Sequence, residues 1–332
     1  LYDEITESIN PDVGVCMKNL SDKNTIVPCA WWIITLMALT VLTSCGSVRR
    51  LPRTIAICPP PPYPPCTVTR YEKTQQDSID AGVFEVKAVR GAGTHEDEYA
   101  MAWRSNNVVD LVTESDKRGV IRRARVEMFD SITVEEKRGY SELGDVGPSS
   151  SGEKEFVTIY PYGSATADAD VMSVDGGVLT MPEGLTQRGT WDGHPAVDSA
   201  GSVLFFASDR EGGYGGLDIW VTMKDRSGGW SQPVNAGPSI NTTCDELTPF
   251  ITVDGRHLLF ASRGHGTVGG YDIFISDLQS LPNVVMDSGM IQRSFSNARN
   301  MGLSINTMAD EIGPTTNTVE DDLLYFSSNK RS

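Results

Sequence analysis

The sequence predicts an all-β fold made of repeated four-stranded antiparallel sheets, from three observations. It is rich in turn-forming residues, with 32 Gly and 18 Pro among 332 residues. It contains short strand-length apolar segments such as VLFFA at residues 203–207. Its second half repeats itself at a fixed spacing, which is the signature of a repeat architecture.

The repeats are defined by two sets of motifs. The first set recurs with an offset of 54: residues 206–208 with 260–262, Gly215 and Gly216 with Gly269 and Gly270, and Asp218 with Asp272. The second set, SINTTCDE at residues 239–246, matches SINTMADE at residues 304–311 with an offset of 65. The extra 11 residues of the second offset predict an insertion around residues 278–290, between two strands.

Each repeat is predicted to form four strands, at residues 195–197, 203–207, 218–223 and 232–236 in the best-defined copy. The second strand is apolar at consecutive positions, so both of its faces should be buried. This is the environment of a middle strand in a β-propeller, where each sheet packs between two neighbours. The sequence therefore predicts a propeller at residues 81–332. Its complete blades should lie at 97–146, 147–191, 192–244 and 245–309, with a fifth blade cut short.

The last blade is predicted to be incomplete, because the chain stops at Ser332 soon after a second-strand signature. We expect two strands at most and an open arc of blades. The apolar run at residues 323–326 (LLYF) should then form an exposed patch. The segment 83–86 (VFEV) is a candidate strand for this blade from the amino-terminal side.

The repeat motifs carry a family resemblance. The segments SDREGGYGGLDIW and ASRGHGTVGGYDIF resemble the WD-repeat-like blades of TolB-type propellers. Their pairing with SINTxxDE is similar to envelope proteins in which such blades precede an OmpA-like peptidoglycan-binding domain. The resemblance covers residues 97–332 and is most specific over 192–328. It implies a further carboxyl-terminal domain, and no OmpA-like segment is present in these 332 residues.

An amino-terminal segment predicts lipidation. Residues 17–44 begin with Met17 and carry an apolar run at 30–42, which is too short for a membrane span of roughly 20 residues. The run ends in LTSC, which resembles the lipobox of bacterial lipoproteins, with Cys45 as the acylated residue. An uncleaved anchor and a buried helix are the alternatives. Because Gly46 rather than Asp follows, the resemblance implies a bacterial outer-membrane protein anchored by lipid and facing the periplasm. Residues 1–16 are interpreted as an upstream extension.

Residues 45–80 are predicted to be a Pro-rich tether. The prolines at 59–65 favour polyproline II, a stiff spacer, although a Pro-rich ligand for a partner is an alternative. The chain has six cysteines and no C-x-x-C pair, so no zinc site is predicted. Cys58 and Cys66 should not bond to each other. Polyproline II would separate them by about 25 Å, whereas a disulfide spans at most about 7 Å.

Acidic residues recur where each first strand begins, and two interpretations stay open. In the first, the carboxylates cap turns. In the second, they form a charged ring around the propeller channel. Asp218, Asp272 and the four paired glycines are interpreted as structural. The candidate channel acids are Asp97, Asp192, Asp245, Glu246, Asp310 and Glu311.

Several kinds of chemistry are disfavoured. A net charge of −16 repels nucleic acid. The G-x-G-x-x-G match at 264–269 is followed by a predicted strand rather than the helix that a dinucleotide site requires. The segment 139–143 fails the G-x-S-x-G pattern, and the four histidines occupy unlike repeat positions. No catalytic set, metal site or cofactor is predicted.

The predicted function is therefore non-enzymatic. A lipid-tethered scaffold would bind other envelope proteins, or peptidoglycan through a domain outside this sequence. The alternative is a propeller that precedes a serine-peptidase domain, also outside this sequence. A small-ligand sensor with a channel pocket is a third hypothesis.

Overall fold

The computed structural model describes residues 66, 89, 97–105, 107–115, 118–128, 131–138, 143–146, 155–160, 168–175, 177–185, 187, 189–279, 288–316 and 324–328. The chain divides into two compact units, and the unit of residues 19–62 lies wholly outside these ranges. The predictions on the signal peptide, Cys45, Cys58 and residues 83–86 concern residues outside the described part.

Five antiparallel sheets follow one another along the chain, and we number them as blades 1 to 5. Blade 1 contains β1 (Asp97–Ser105), β2 (Val108–Ser115), β3 (Arg118–Met128) and β4 (Ser131–Arg138). Blade 2 contains β5 (Leu143–Val146), β6 (Glu155–Ile159), β7 (Asp170–Asp175) and β8 (Val178–Thr180). Blade 3 contains β9 (Asp192–Val197), β10 (Val203–Ser208), β11 (Asp218–Met223) and β12 (Val234–Asn235). Blade 4 contains β13 (Glu246–Ile251), β14 (His257–Ser262), β15 (Asp272–Asp277) and β16 (Arg299–Asn300), and blade 5 contains β17 (Glu311–Thr316) and β18 (Leu324–Ser328).

The first strands of the blades form a closed circuit. β1 contacts β5, β5 contacts β9, β9 contacts β13, β13 contacts β17, and β17 contacts β1. These five strands therefore surround a common axis, and the sheets form a β-propeller with the first strands innermost. Four complete blades and a two-stranded fifth blade, counted over the described residues, confirm the predicted fold class.

The prediction of an open arc is wrong, because blade 5 packs against blade 1 as well as against blade 4. The rings of Trp103 in β1 and Tyr325 in β18 meet edge to face, with their centroids 5.4 Å apart. Tyr325 is buried, and Leu324 and Phe326 pack against the apolar cluster of blade 4. The expected exposed patch is therefore not found at residues 324–326, which lie between two neighbouring blades.

The predicted boundary between blades 1 and 2 is also wrong. Residues 143–146 were expected to end the first blade, but Leu143–Val146 is β5, the innermost strand of blade 2. It pairs with β6, and Val146 lies opposite Val157. The segment LGDV has a single apolar residue at each end, so its pattern alone does not distinguish a last strand from a first one.

Middle strands carry the core, as their apolar runs predicted. All six residues of β10 are buried, and so are five of the six in β14. Phe205, Phe260 and Phe274 lie in one apolar cluster between blades 3 and 4. The predicted insertion lies between β15 and β16 and contains α1 (Ser288–Gln292), whose Ile291 joins the same cluster. The insertion therefore helps to hold blades 3 and 4 together.

The strand directions define two ends of the propeller. First strands begin at one end, which we call the front face. It carries the hairpins between second and third strands and the loops that lead to the next blade; their described residues are 160, 168–169, 181–185, 187, 189–191, 209–217, 236–245, 263–271 and 301–310. The opposite end is the back face, and the described residues of its loops are 107, 177, 198–202, 224–233, 252–256, 278–279 and 288–298.

Candidate functional site

The front-face loops of blades 3 and 4 are held by a repeated carboxylate network. The Asp218 carboxylate accepts hydrogen bonds from the backbone N–H groups of Tyr214 and Gly215 and from Nδ2 of Asn235, at 2.7 Å for the last. Burial raises the pKa of the Asp218 carboxyl, although these donors oppose the shift. The Asp272 carboxylate has the same partners in blade 4, namely Val268, Gly269 and Asn300. Both aspartates therefore hold the hairpins of their blades in place.

A second amide extends this network to the third strand. Asn241 donates from Nδ2 to the carbonyl oxygen of Ile219 at 2.9 Å and accepts the N–H of the same residue at 2.8 Å. Its side chain thus occupies the place of a neighbouring strand. Asn306 binds the backbone of Ile273 with the same pair of bonds, at 2.9 and 2.8 Å. The asparagine of the SINT segment therefore binds the backbone of the third strand in both blades.

The paired glycines allow the next loop to approach. A Cβ on Gly215 would lie 2.2 Å from the carbonyl oxygen of Cys244, and a Cβ on Gly269 would lie 2.5 Å from that of Thr307. A Cβ on Gly216 would collide with the Asp245 carboxylate, and a Cβ on Gly270 would collide with the Asp310 carboxylate. In the same hairpins, positive φ angles occur at Gly212 and Gly266, with φ of 95° and 94°.

The predicted channel acids occupy two different positions. Glu246 and Glu311 are the first residues of their strands, opposite Ser262 and Ser328, and Asp192 occupies the same position opposite Ser208. Asp245 and Asp310 come one residue earlier, where blade 3 has Trp191. Asp97 begins β1, but its side chain lies outside the described part.

The acids at the first position are fully buried and hydrogen-bonded. Glu246 accepts bonds from the N–H and Oγ1 of Thr242 and from Oγ of Ser262, each at 2.7 Å. Burial raises the pKa of the Glu246 carboxyl to about 8, against these three donors. Glu311 has equivalent partners in Thr307 and Ser328. Both carboxylates tie the loop before the blade to its first and second strands.

In blade 3, the acid at this position, Asp192, is held by an ion pair. Asp192 accepts a hydrogen bond from Nη2 of Arg210 at 2.9 Å, and both side chains are buried. The guanidinium of Arg210 also lies over the ring of Phe206, 4.7 Å from its centroid. Because a buried charge is costly unless it is paired, the two residues depend on each other.

Asp245 and Asp310 join neighbouring blades. Oδ1 of Asp245 accepts the N–H of Leu217 at 3.0 Å, and Oδ1 of Asp310 accepts the N–H of Tyr271 at 2.9 Å. The hydroxyl of Tyr271 donates to Asp245 at 3.2 Å, and Arg263 lies over the Tyr271 ring at 4.0 Å. Both aspartates thus accept backbone N–H groups of loops, as carboxylates that cap turns do. The charged channel ring stays a prediction.

The innermost strands share a bulge that sequence reasoning missed. The third residues of β9, β13 and β17 are the single half-exposed positions in otherwise buried strands. These residues, His194, Thr248 and Gly313, have φ of 50°, 48° and 64°. The N–H of Gly313 donates to Oγ1 of Thr248 at 3.0 Å. A proline follows each of them, at 195, 249 and 314, and this repeated proline was the available signal.

A disulfide joins Cys66 to Cys244, across 178 residues of sequence. Cys244 lies in the front-face loop between blades 3 and 4, so Cys66 is attached to this face. The prediction that Cys66 does not bond to Cys58 is confirmed, because its partner is Cys244. The sequence offered one signal for this pair, namely that Cys244 is the single cysteine after Cys66.

Among the residues that the structure describes, no group of three or more His, Cys, Asp or Glu side chains is arranged to hold a metal ion. No helix among the described segments is both long enough and apolar enough to cross a membrane.

Comparison with known proteins identifies no family by sequence: no family model matches the chain, and no curated protein matches it. Similar solved structures include TolB from Acinetobacter baumannii, at 16% identity and a TM-score of 0.38 over 56% of this chain. The chain spans 42% of the length of that protein. A putative TolB from Agrobacterium tumefaciens is 14% identical, with a TM-score of 0.41 over 71% of this chain and 91% of its own.

Enzymes are also among the similar structures. Puromycin hydrolase is 13% identical, with a TM-score of 0.37 over 66% of this chain and 30% of its own. Likenesses this low say nothing of activity, and the propeller fold rests on the sheets and their closed circuit.

Proposed function

We propose that this chain is an envelope lipoprotein whose β-propeller is a non-enzymatic scaffold for binding another envelope component. The observation that carries the proposal is the Cys66–Cys244 disulfide. Structural disulfides persist in oxidising compartments such as the bacterial periplasm and are rare in the cytosol. The disulfide therefore supports the extracytoplasmic location that the lipobox at Cys45 predicts.

The arrangement of the chain supports a tethered body. Residues 45–65 would connect the acylated Cys45 to Cys66, and Cys66 is bonded to the front face. The disulfide shortens the free tether, which without it would extend to β1 at Asp97. The propeller would then be held near the outer membrane, on its periplasmic side, with a restricted reach.

The state of the carboxylates supports a scaffold rather than an enzyme. Asp218, Asp272, Glu246 and Glu311 are buried, and each accepts at least three hydrogen bonds from neighbouring loops and strand ends. Carboxylates used in this way hold the front-face loops in place. The loops they hold are the surface that the propeller offers to a partner.

Lipid labelling tests the anchor. The full chain would be expressed in a Gram-negative host with a radiolabelled fatty acid, beside the variant Cys45→Ala. We expect label and membrane association for the wild type and the loss of both in the variant. A Cys58→Ala variant is the matched control and should keep both. A wild-type protein without label would overturn the lipoprotein assignment.

Photocrosslinking tests the scaffold. A photoreactive residue would replace Tyr214 on the front face or Met290 in the β15–β16 connection, both of which are exposed. We expect the full-length protein in intact cells to crosslink to one defined partner from at least one of these sites. The absence of any crosslinked protein at both sites would contradict the scaffold function.

A further inference from the structure

Exposed apolar side chains are concentrated on the front face. Among the described residues, seven large apolar side chains are exposed, and five of them lie in front-face loops. Met308 is the most exposed of all, at 82%. The other four are Tyr160, Met181, Tyr214 and Leu303. Scattered apolar residues are normal on a protein surface, whereas their concentration on one face indicates a binding surface.

The front-face loops form a continuous surface rather than separate tips. The N–H of Gly216 donates to the carbonyl oxygen of Cys244 at 3.1 Å, and the N–H of Gly270 donates to that of Ala309 at 3.1 Å. Each hairpin is thus bonded to the loop that leads into the next blade. The carboxylate networks described above fix the same loops, so the apolar side chains are presented by a preformed backbone.

Charge also distinguishes the two faces. The described back-face loops contain the acids Asp198, Asp225 and Asp254 and the cations Lys224, Arg226, Arg256 and Arg293. The described front-face loops contain two cations, Arg210 and Arg263. Arg210 is buried against Asp192, and Arg263 lies 3.8 Å from Asp245. The front-face acids are Asp168, Glu183, Asp209, Glu211, Asp245 and Asp310.

We propose that the front face binds a segment of a partner protein that is both apolar and positively charged. This inference rests on the proposed scaffold function and names the surface and the chemistry of the partner. Met308, Leu303 and Tyr214 would contact apolar side chains of the segment. The surrounding carboxylates would attract its Lys and Arg residues, which also disfavours an anionic lipid surface as the occupant. Glu183, Asp209 and Glu211 are the solvent-exposed acids available for this.

A peptide probe tests the surface. The probe is a synthetic amphipathic peptide with Leu on one face and Lys on the other, and its analogue carries Glu in place of Lys. Binding to the full-length protein is followed by fluorescence anisotropy at low and high salt. We expect the cationic peptide to bind, the acidic analogue not to bind, and added salt to weaken binding.

Matched variants locate the binding. Met308→Ser and Glu211→Lys should each weaken binding about tenfold, the usual size of the loss when a central contact is removed. Met290→Ser and Glu127→Lys are the controls. Both residues are exposed and lie outside the front-face loops, so both variants should bind like the wild type. Thermal unfolding would establish that all four variants are folded.

Three results would overturn the proposal. One is equal binding by the front-face and control variants, and another is the absence of binding to the cationic peptide. The third is binding to zwitterionic or anionic lipid vesicles in place of the peptide, which would make the front face a membrane surface. None of these results contradicts the scaffold function itself, because crosslinking from Met290 in intact cells tests that function separately. Failure of the inference and failure of the proposed function are therefore distinguishable.

Discussion

Asn241 binds Ile219 as a neighbouring strand would, with its amide oxygen accepting the Ile219 N–H at 2.8 Å and its amide nitrogen donating to the Ile219 carbonyl at 2.9 Å. β12, the outer strand of blade 3, is two residues long and ends before this position. The Asn241 side chain therefore satisfies the Ile219 N–H, and it is a second donor to the Ile219 carbonyl, which also accepts the N–H of Ala236 at 3.0 Å. The same relationship between Asn306 and Ile273 shows that it belongs to the repeat.

Asn241→Ala should destabilise the propeller. The buried N–H of Ile219 would lose its partner, at a cost of about 1–3 kcal/mol, whereas the Ile219 carbonyl would keep the hydrogen bond from the Ala236 N–H. Asn306→Ala should have an effect of the same size in blade 4. Urea unfolding would measure both, with Asn297→Ala as a control, because the Asn297 hydrogen bond to Ser239 is exposed. Equal stability of all three variants would contradict a structural role for the SINT segments.

Gly215→Ala should destabilise the protein because its Cβ would collide with backbone atoms of the next loop. The nearest atom would be the Cys244 carbonyl oxygen, 2.2 Å away, and main-chain atoms cannot move aside as a flexible side chain can. We expect a loss of about 1–3 kcal/mol. Gly229→Ala is the control, since its Cβ would meet only ordinary contacts at 3.7 Å. If both alanine variants unfold at the same urea concentration, the close approach is not real.

Tyr325→Ala should loosen the junction between blades 5 and 1. It removes the buried ring that packs against Trp103, and loss of a buried aromatic side chain costs about 3–5 kcal/mol. Tyr325→Phe keeps the ring and should destabilise the protein less than Tyr325→Ala does. Hydrogen exchange provides the specific readout, with faster exchange in β1 and β18 and little change in β10. Unchanged exchange in β1 would show that the ring is open at this junction.

Glu246 should make stability depend on pH. Its folded-state pKa of about 8 lies above the ordinary value of 4.5, so the folded protein holds this proton more tightly than the unfolded chain. The contribution is fully present below about pH 4.5 and is lost as the pH rises through about 8. Unfolding at several pH values should show a smaller decline across this interval for Glu246→Gln than for the wild type. Glu211→Gln, at an exposed site, should leave the decline unchanged.

The sequence predicted the features that depend on local pattern. The apolar run VLFFA predicted the buried middle strand β10, and the offsets of 54 and 65 predicted the blades and the insertion between β15 and β16. These predictions succeeded because they rest on local apolar patterns and on the recurrence of short motifs.

The features that depend on distant residues were missed. Contact between β1 and β17 closes the ring, and no pattern in either strand indicates it. Cys66 and Cys244 are separated by 178 residues, so spacing could not pair them. The acids at strand starts looked like one class, whereas strand register separates Glu246 from Asp245 and places Asp192 with Glu246. Register is set by pairing across strands, which a motif alignment does not contain.

A non-reducing peptide map of the protein isolated from bacterial membranes would test the lipid anchor and the disulfide together. We propose a lipid-tethered propeller with Cys66 bonded to its front face in an oxidising compartment. The map should contain one linked peptide with Cys66 and Cys244, and an amino-terminal peptide that begins at an acylated Cys45. Replacing Cys66 and Cys244 by alanine should also lower the free energy of unfolding by about 2–4 kcal/mol. Free thiols at Cys66 and Cys244, together with an unmodified Cys45 in a chain that retains residues 17–44, would contradict the account.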